Sequence, residues 1–424
     1  MYPIKKLQDC ATIIAGQSPE SKYYNSTGEG IPFFQGKADF GELYPKVRVY
    51  CSSPTKIAQY NDILLSVRAP VGPTNLSPGT VCIGRGLAAI RPDDSLDLKY
   101  LLYYFRYFET QLSAKGTGTT FKAINQKLIK NLEIPIPPLN EQSRVVAHIE
   151  ELFSELDKAV DTLKTTKEQL AVYRQAVLKS AFEGKYTIDW RKSNDCSVDN
   201  DYLKIKKNNQ IFKDTSGDEN ELILKIPNTW MKVRFGEIFD VEVGATPSRQ
   251  HKEYWNGKIA WVSSGEVRFE SINRTHEMIT QHGLNNSSTN LQPIGTVLLA
   301  MIGEGKTRGQ AAILNIPAAH NQNTAAILVS RTPCQPKYVY YFLQLNYENT
   351  RRVGSGNNQK ALNKERVRAI RFPFAPVEEQ VAIVKEIDER LSVCDSIEKT
   401  VDAALAQADA MRQSILKQAF ERTL

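Results

Sequence analysis

Ala300-Met-Ile-Gly-Glu-Gly305-Lys306-Thr307 fits a relaxed phosphate-loop pattern with alanine in its first place. Such a loop holds phosphate when a strand precedes it and a helix follows, so that backbone amides and a helix N-terminus both face the anion. Here Thr307–Leu314 reads as another strand, and the matching stretch Ser66-Val67-Arg68-Ala69-Pro70 carries no Gly-Lys-Thr. A hairpin turn whose Lys306 and Arg308 touch nucleic-acid backbone is expected instead. A second constellation occurs twice, as Gly116-Thr-Gly118-Thr-Thr-Phe-Lys122-Ala123-Ile-Asn125 and as Gly354-Ser-Gly356-Asn-Asn-Gln-Lys360-Ala361-Leu-Asn363. Paired glycines allow a tight turn and close approach, while hydroxyl, amide and lysine groups hydrogen-bond phosphate or base edges. The same pattern also makes a helix entry, with Asn125 and Asn363 as caps. Both uses are expected, the glycines and asparagines serving the fold and the variable Thr119/Asn357 and Thr120/Asn358 facing a ligand.

Other chemistry is poorly represented. The five histidines, at 148, 251, 276, 282 and 320, show no paired metal-ligand spacing. The six cysteines, at 10, 51, 82, 196, 334 and 394, form no Cys-x-x-Cys pair and read as reduced thiols. An enzyme that methylates amino groups in DNA needs a glycine-rich cofactor loop and an Asn/Asp-Pro-Pro-aromatic tetrapeptide, and the sequence has neither. The expectation is a chain with no catalytic residues, no metal and no cofactor of its own.

The chain has 424 residues, enough for two or three domains. Its net charge of +7 is segregated: +5 over residues 1–138, −2 over 139–184, 0 over 185–228, +8 over 229–375 and −4 over 376–424. Two separate basic blocks suit a polyanionic partner, since phosphate neutralisation supplies most sequence-independent DNA affinity. No apolar run approaches a membrane span and no signal core follows Met1, so a cytoplasmic protein without membrane attachment is expected.

The elements that must position these residues are built twice. Lys99–Glu183 aligns with Lys337–Glu421 at a constant offset of 238, without a gap, and 26 of the 85 pairs are identical. The period is far longer than the roughly 20–50 residues of a solenoid unit, so a whole domain and its appendage are duplicated. In each half short strands precede a helix: Ile31–Gln35, Asp62–Val67 and Leu87–Arg91 before Lys99–Phe108, then Ile259–Ser263, Thr296–Ile302 and Thr324–Ser330 before Lys337–Leu345. The openings also correspond, Gly16-Gln17-Ser18-Pro19 with Gly244-Ala245-Thr246-Pro247.

A proline-rich stop then leads each half into a segment without proline or interior glycine. Ile149, Leu156, Leu163, Leu170 and Val177 recur every seven residues, as do Ile387, Cys394, Val401, Ala408 and Ile415. Val145, Leu152, Ala159, Tyr173, Ile383, Ile397, Ala404 and Met411 take intermediate heptad places. A strict seven-residue seam prefers another helix as partner, so a coiled coil is expected, with helices of about 45 residues and roughly 68 Å. The expected organisation is α+β: a mixed block at 1–138, a long helix at 139–184, a polar connecting arm at 185–228, a second block at 229–375 and a second long helix at 376–424.

Each block runs through Gly-x-Gly-x-x-x-Lys-Ala-hydrophobic-Asn to a Pro-x-x-Pro-x-x-Glu-Gln helix start, and each helix ends in Arg-Gln-x-hydrophobic-Leu-Lys-x-Ala-Phe-Glu. With Asp189-Trp190-Arg191 and the Pro227-Asn-Thr-Trp230 entry to the second block, this order resembles the specificity subunit of type I restriction-modification systems. The resemblance covers nearly the whole chain. It implies two target recognition domains, each reading one half of a split, asymmetric site in double-stranded DNA, and an antiparallel helix pair that fixes the spacing. It also implies two methyltransferase subunits using S-adenosylmethionine to modify adenine, two restriction subunits using ATP and magnesium, and no active site in the specificity subunit itself.

The two halves differ most in loops: Lys37–Tyr44 has little in common with Glu266–Thr275, and Val71–Gly79 little with Thr307–Ile316. Unlike half-sites are therefore expected. The candidate DNA contacts are Gln35, Lys37, Arg68, Thr119 and Lys122 in the first block, with Ser264, Arg268, Arg274, Lys306, Arg308, Asn358 and Lys360 in the second. Two other classes fit parts of the chain, a coiled-coil adaptor that binds only protein and a nucleotide hydrolase using Gly305-Lys306-Thr307.

Overall fold

The computed structural model describes residues 2–116, 123–194, 197–206, 224–303, 305–352 and 361–421. Two compact units result, one of residues 1–166 with 400–424, the other of residues 167–399, so that each long helix is shared between them.

In the first unit Ala11–Ala15, Leu87–Pro92, Ile63–Ser66 and Thr74–Leu76 form an antiparallel sheet in that order. Beside it Ile31–Phe34 pairs in parallel with Val81–Ile83. The second unit repeats the plan with Val241–Val243, Thr324–Ile327, Val297–Ala300 and Ala311–Leu314, and Trp255–Val262 pairs in parallel with Ala318–His320. The central strands Ile63–Ser66, Val297–Ala300 and Ala311–Leu314 are short, largely apolar and buried throughout, which is why they read as continuous hydrophobic runs rather than alternating ones. The matched opening glycines sit where the chain crosses between sheets. A Cβ on Gly16 would lie 2.2 Å from the Gly84 carbonyl oxygen, and one on Gly244 would lie 1.9 Å from that of His320, so no larger residue fits either crossing.

The helix α1 (Leu98–Ala114) of the first unit has its counterpart at Pro336–Leu345 in the second; the long helix α2 spans Leu139–Phe182. With α3 naming Pro336–Leu345, the second long helix, α4, spans Val377–Glu421. A buried glutamine fixes each long-helix start. Gln142 accepts from Asp97 N (2.7 Å) and donates to Pro137 O (2.8 Å); Gln380 accepts from Gln335 N (3.1 Å) and donates to Ala375 O (2.9 Å). Buried amides need their full hydrogen-bond complement, and the chain turning into each helix supplies the carbonyl that accepts, from Pro137 in one unit and Ala375 in the other.

The far end of each long helix completes a core. Within the second unit Phe182, at the end of α2, packs on Tyr338 and Phe342 of α3, with ring centroids 4.9 and 5.6 Å apart. Within the first unit Phe420, at the end of α4, packs on Tyr100 and Tyr104 of α1 at 5.3 and 5.4 Å. The ion pairs repeat too: Arg174 meets Asp395 at 2.7 Å in one unit, and Arg412 meets Asp157 in the other, each residue 238 from its copy.

The expected seam is buried at Ile149, Leu156, Leu170, Val177, Ile387, Cys394, Val401 and Ala408, and half-buried at Leu163 and Ile415. The intermediate heptad places are not uniformly interior: Ala159, Tyr173, Ile397 and Met411 are exposed. Phe153, Leu178 and Leu416 are buried in their stead, so the apolar stripe shifts along the helix instead of holding a two-residue heptad face. The arm also differs from its expected loop. Ile188–Ser193 and Val198–Ile205 are helical, the latter capped by the Ser197 hydroxyl.

Phe182→Ala and Phe420→Ala should each cost about 3–5 kcal/mol by leaving a cavity among aromatic rings. Hydrogen exchange will show the first raising exchange in strands of the second unit and the second in strands of the first, although the substituted residues lie in helices that begin in the opposite unit.

His320 is buried where the first unit has Ile83 at the same register. Its Nδ1 lies 2.7 Å from Thr324 Oγ1, Nε2 has no hydrogen-bond partner among the described residues, and burial lowers its pKa from 6.5 to about 4. The unfolded chain takes up this proton near pH 6.5 while the folded one resists it, so stability is full above that pH and falls toward pH 4 by about 3 kcal/mol. In a denaturant series at pH 7, 5.5 and 4.5, His320→Ile should flatten that decline.

Candidate nucleic-acid interface

In each unit the loop after a central strand is tied to the chain leaving the glycine-rich segment. Ile124 N donates to Val67 O (3.0 Å) and Arg68 bridges to Ala123; in the second unit Leu362 N donates to Met301 O (3.0 Å). Thr119, Lys122, Asn358 and Lys360 lie outside the described residues, but their neighbours are thereby fixed beside Arg68 and beside the 301–310 loop. Asn125 and Asn363 do cap the helices that follow, accepting from Leu128 N and Arg366 N.

Gln35 and Lys37 are exposed on the turn that leaves Ile31–Phe34. Asp39 holds this turn, accepting from Gln35 N (2.8 Å) and pairing with Arg48 (2.9 Å). The loop is anchored to α1 by Arg106, which donates to Glu42 O at 3.2 Å. One turn further along α1, burial raises the Glu109 pKa against the opposing pull of Lys37 and Arg106. A Cβ on Gly72 would meet the Glu109 side chain at 2.7 Å, so Lys37 and the 67–73 loop converge on one end of α1.

In the second unit Arg268 and Arg274 are brought together, and Ser264 lies in the short helical turn Ser264–Glu266 that leads into their loop. Arg268 and Arg274 line a cleft of about 570 Å³ with Glu266, Asn273 and His276. Glu266 organises it, accepting from Ser263 N (2.9 Å), His276 N (2.9 Å) and the Ser263 hydroxyl (2.8 Å). Burial works against its ionisation, yet these hydrogen bonds hold the carboxyl below its ordinary range. The cleft therefore presents two guanidinium groups around a fixed carboxylate, a mixed donor and acceptor surface of the kind that meets base edges and phosphates.

The 301–310 loop joins Val297–Ala300 to antiparallel Ala311–Leu314. A strand stands where a phosphate loop needs a helix, and the strand begins four residues later than the sequence suggests because turns occupy 305–309. Lys306 is exposed. Arg308 is half-buried and donates to Arg351 O (2.9 Å), which gives it a role in holding the loop. Tyr347 and Arg351 complete that hold, donating to Lys306 O and Gly305 O. Sequence reasoning missed Arg106, Glu266, Tyr347 and Arg351. The only trace of them was the four-residue spacing of Tyr347 and Arg351, which places both on one helix face. Among the described residues no cluster of histidine, cysteine and carboxylate side chains suits a metal ion, and no helix is long and apolar enough to cross a membrane.

Glu266→Ala should remove these bonds at a cost of about 1–3 kcal/mol. The amides of Ser263 and His276 should exchange faster, with the first unit unaffected, as read by hydrogen-exchange mass spectrometry.

The fold has solved counterparts. A chain from a study titled as the structural basis of complex assembly and conformational transition of the type I R-M system superposes with a TM-score of 0.70 at 16% identity, covering 99% of this chain and 97% of that one. The HsdS subunit from Thermoanaerobacter tengcongensis gives 0.52 at 16% identity, covering 100% and 97%. In sequence, the putative type I restriction enzyme MjaX specificity subunit of Methanocaldococcus jannaschii is 39% identical over 177 residues, 42% of this chain and 41% of that protein's length. The EcoDI specificity subunit of Escherichia coli is 23% identical over 346 residues, 77% of this chain and 70% of its own. Residues 2–171 and 227–407 both match the family described as Type I restriction modification DNA specificity domain, and with the twice-built fold this makes the chain a member of that family.

Proposed function

We propose that this chain is the non-catalytic DNA specificity subunit of a type I restriction-modification complex. Each unit reads one half of a bipartite asymmetric site in double-stranded DNA. The helices α2 and α4 set the spacing between the halves and seat two adenine methyltransferase subunits, which use S-adenosylmethionine. Two restriction subunits using ATP and magnesium complete the assembly, in the cytoplasm. The observation that carries this reading is the duplication itself: the same buried contacts recur in both units while the loops diverge, as a pseudo-symmetric reader of two unlike half-sites requires.

The candidate contacts divide by chemistry. Lys306, Lys37 and Lys122 are cations on loops suited to phosphate. Arg274, Arg268, Gln35, Ser264, Thr119 and Asn358 carry directional donors or acceptors suited to base edges. Arg68, bridged to Ala123, contributes charge beside the first glycine-rich segment, and Lys360 is the second block's candidate cation by its sequence match to Lys122. Arg308 acts through the loop it holds.

Gel-shift titration of the assembled methyltransferase complex tests this. Lys306→Ala should weaken binding to all duplexes and lower the slope of log affinity against log salt by about one. Arg274→Ala should lose about 1–3 kcal/mol of discrimination at one position of one half-site only, read as relaxed adenine methylation by single-molecule sequencing. Sequence-independent affinity, or a complex without salt-dependent DNA binding, would make the chain a structural adaptor without sequence-specific DNA binding.

A further inference from the structure

One helix position does different work in the two units. Tyr347, just after α3, donates to Lys306 O and so holds the loop that follows a central strand of the second unit. Its ring meets the edge of Phe269, with centroids 5.3 Å apart, and Gly309 passes so close that a Cβ there would lie 3.3 Å from the ring. At the duplication offset of 238 its counterpart is Glu109, on α1. Glu109 likewise abuts the loop after the matching strand, since a Cβ on Gly72 would lie 2.7 Å from its Cγ.

Glu109 is not what holds that loop. The 66–73 turn closes on itself: Ser66 N donates to Pro73 O (2.9 Å), Gly72 N to Ser66 O (3.0 Å) and the Ser66 hydroxyl to Pro70 O (2.8 Å), while Arg68 bridges to Ala123. Glu109 itself is half-buried and makes no hydrogen bond or ion pair among the described residues. Lys37 and Arg106 act on it only through space, and the Arg106 guanidinium is engaged with Glu42 O at 3.2 Å. A carboxylate that has lost part of its water and gained no donor is costly, and an incoming N–H relieves that cost.

We propose, resting on the reading of this chain as a DNA specificity subunit, that Glu109 is a specificity-determining residue of the first unit: its carboxylate accepts from an exocyclic amino group exposed in the major groove, N4 of cytosine or N6 of adenine. The surrounding charge selects that kind of group. Lys37, Arg68 and Arg106 draw the phosphate backbone toward this end of α1, where a carboxylate repels phosphate and the acceptor atoms of guanine and thymine alike. The hydrogen-bond donors on major-groove base edges are these amino groups alone. The second unit places a neutral hydroxyl at the same position and uses it on its own loop, so the two units differ here in the chemistry they can offer to DNA.

The assembled methyltransferase complex is the test material. Single-molecule sequencing of DNA methylated by the Glu109→Ala complex should show one position of one half-site relaxed by about tenfold, with the other half-site as in the original. Gel-shift duplexes that lack the amino group at that position, with pyrimidin-2-one in place of cytosine or unsubstituted purine in place of adenine, identify the donor. The original complex should bind one of these duplexes about tenfold more weakly than natural DNA, and the Glu109→Ala complex should show no such further loss. Hydrogen exchange at residues 66–73 should be the same in both complexes. Faster exchange there, or a uniform loss of affinity for all duplexes, makes Glu109 a loop-holding residue and overturns the inference. An original complex with a bipartite site whose bases are all read unchanged by Glu109→Ala overturns this inference alone, whereas an original complex that reads no bipartite site overturns the underlying reading as well.

Discussion

Each unit needs a phenylalanine that the chain delivers at the end of a 44- or 45-residue helix. Phe182 and Phe420 are fully buried among the aromatic residues of α3 and α1. The helix must therefore stay unbroken for its whole length, or its last turn cannot reach that core. This explains the absence of proline and interior glycine across α2 and α4, where either would cost about 1–3 kcal/mol and could bend the axis. It also explains why the gapless part of the duplication runs to Glu183 and Glu421: a one-residue insertion would rotate the terminal phenylalanine by about 100° away from its site.

The long helices were legible because their pattern is local and repeated. A seven-residue recurrence identifies one buried face without knowledge of the partner, and Ile149, Val177, Ile387 and Cys394 are all nearly inaccessible. Periodicity does not report the width of that face. Tyr173 and Met411 occupy plausible heptad places yet face solvent, while Phe153, Leu178 and Leu416, off the regular positions, are buried. The cores near the helix ends are broad aromatic sheets of side chains, and they draw the apolar stripe toward α1 and α3. Membership of the family was legible for a different reason, since its motifs fall on capping and staple residues such as Asn125, Asn363, Gln142 and Gln380, whose roles depend on sequence-local geometry.

The candidate interface was only partly legible. Arg268 and Arg274 were visible as basic loop residues, and the cleft does gather them. Their organiser, Glu266, looked like another surface carboxylate because the His276 amide it binds is ten residues away and nothing in a linear pattern marks that pairing. Arg308 was read as a ligand contact from charge alone. Its guanidinium also meets the Arg351 carbonyl, a contact made across 43 residues that charge does not reveal. Long-range hydrogen bonds in irregular loops have no periodicity, so charge and polarity select candidates there without ranking them.

The way those loops are held has a consequence for how their sequences can change. Arg106 on α1, Tyr340 on α3 and Tyr347 and Arg351 just after α3 donate to the carbonyls of Glu42, Phe269, Lys306 and Gly305. A backbone carbonyl is present whatever side chain the residue carries. The helix residues therefore help to fix the path of the loop through groups that do not depend on which side chain the anchored position carries. Substitution at Lys306 keeps its anchor from Tyr347, whereas substitution at Tyr347 releases the loop. A scaffold that grips its variable loops by the backbone can exchange one set of reading side chains for another without rebuilding the core, and the divergence of Lys37–Tyr44 from Glu266–Thr275 on a common fold is the expected outcome.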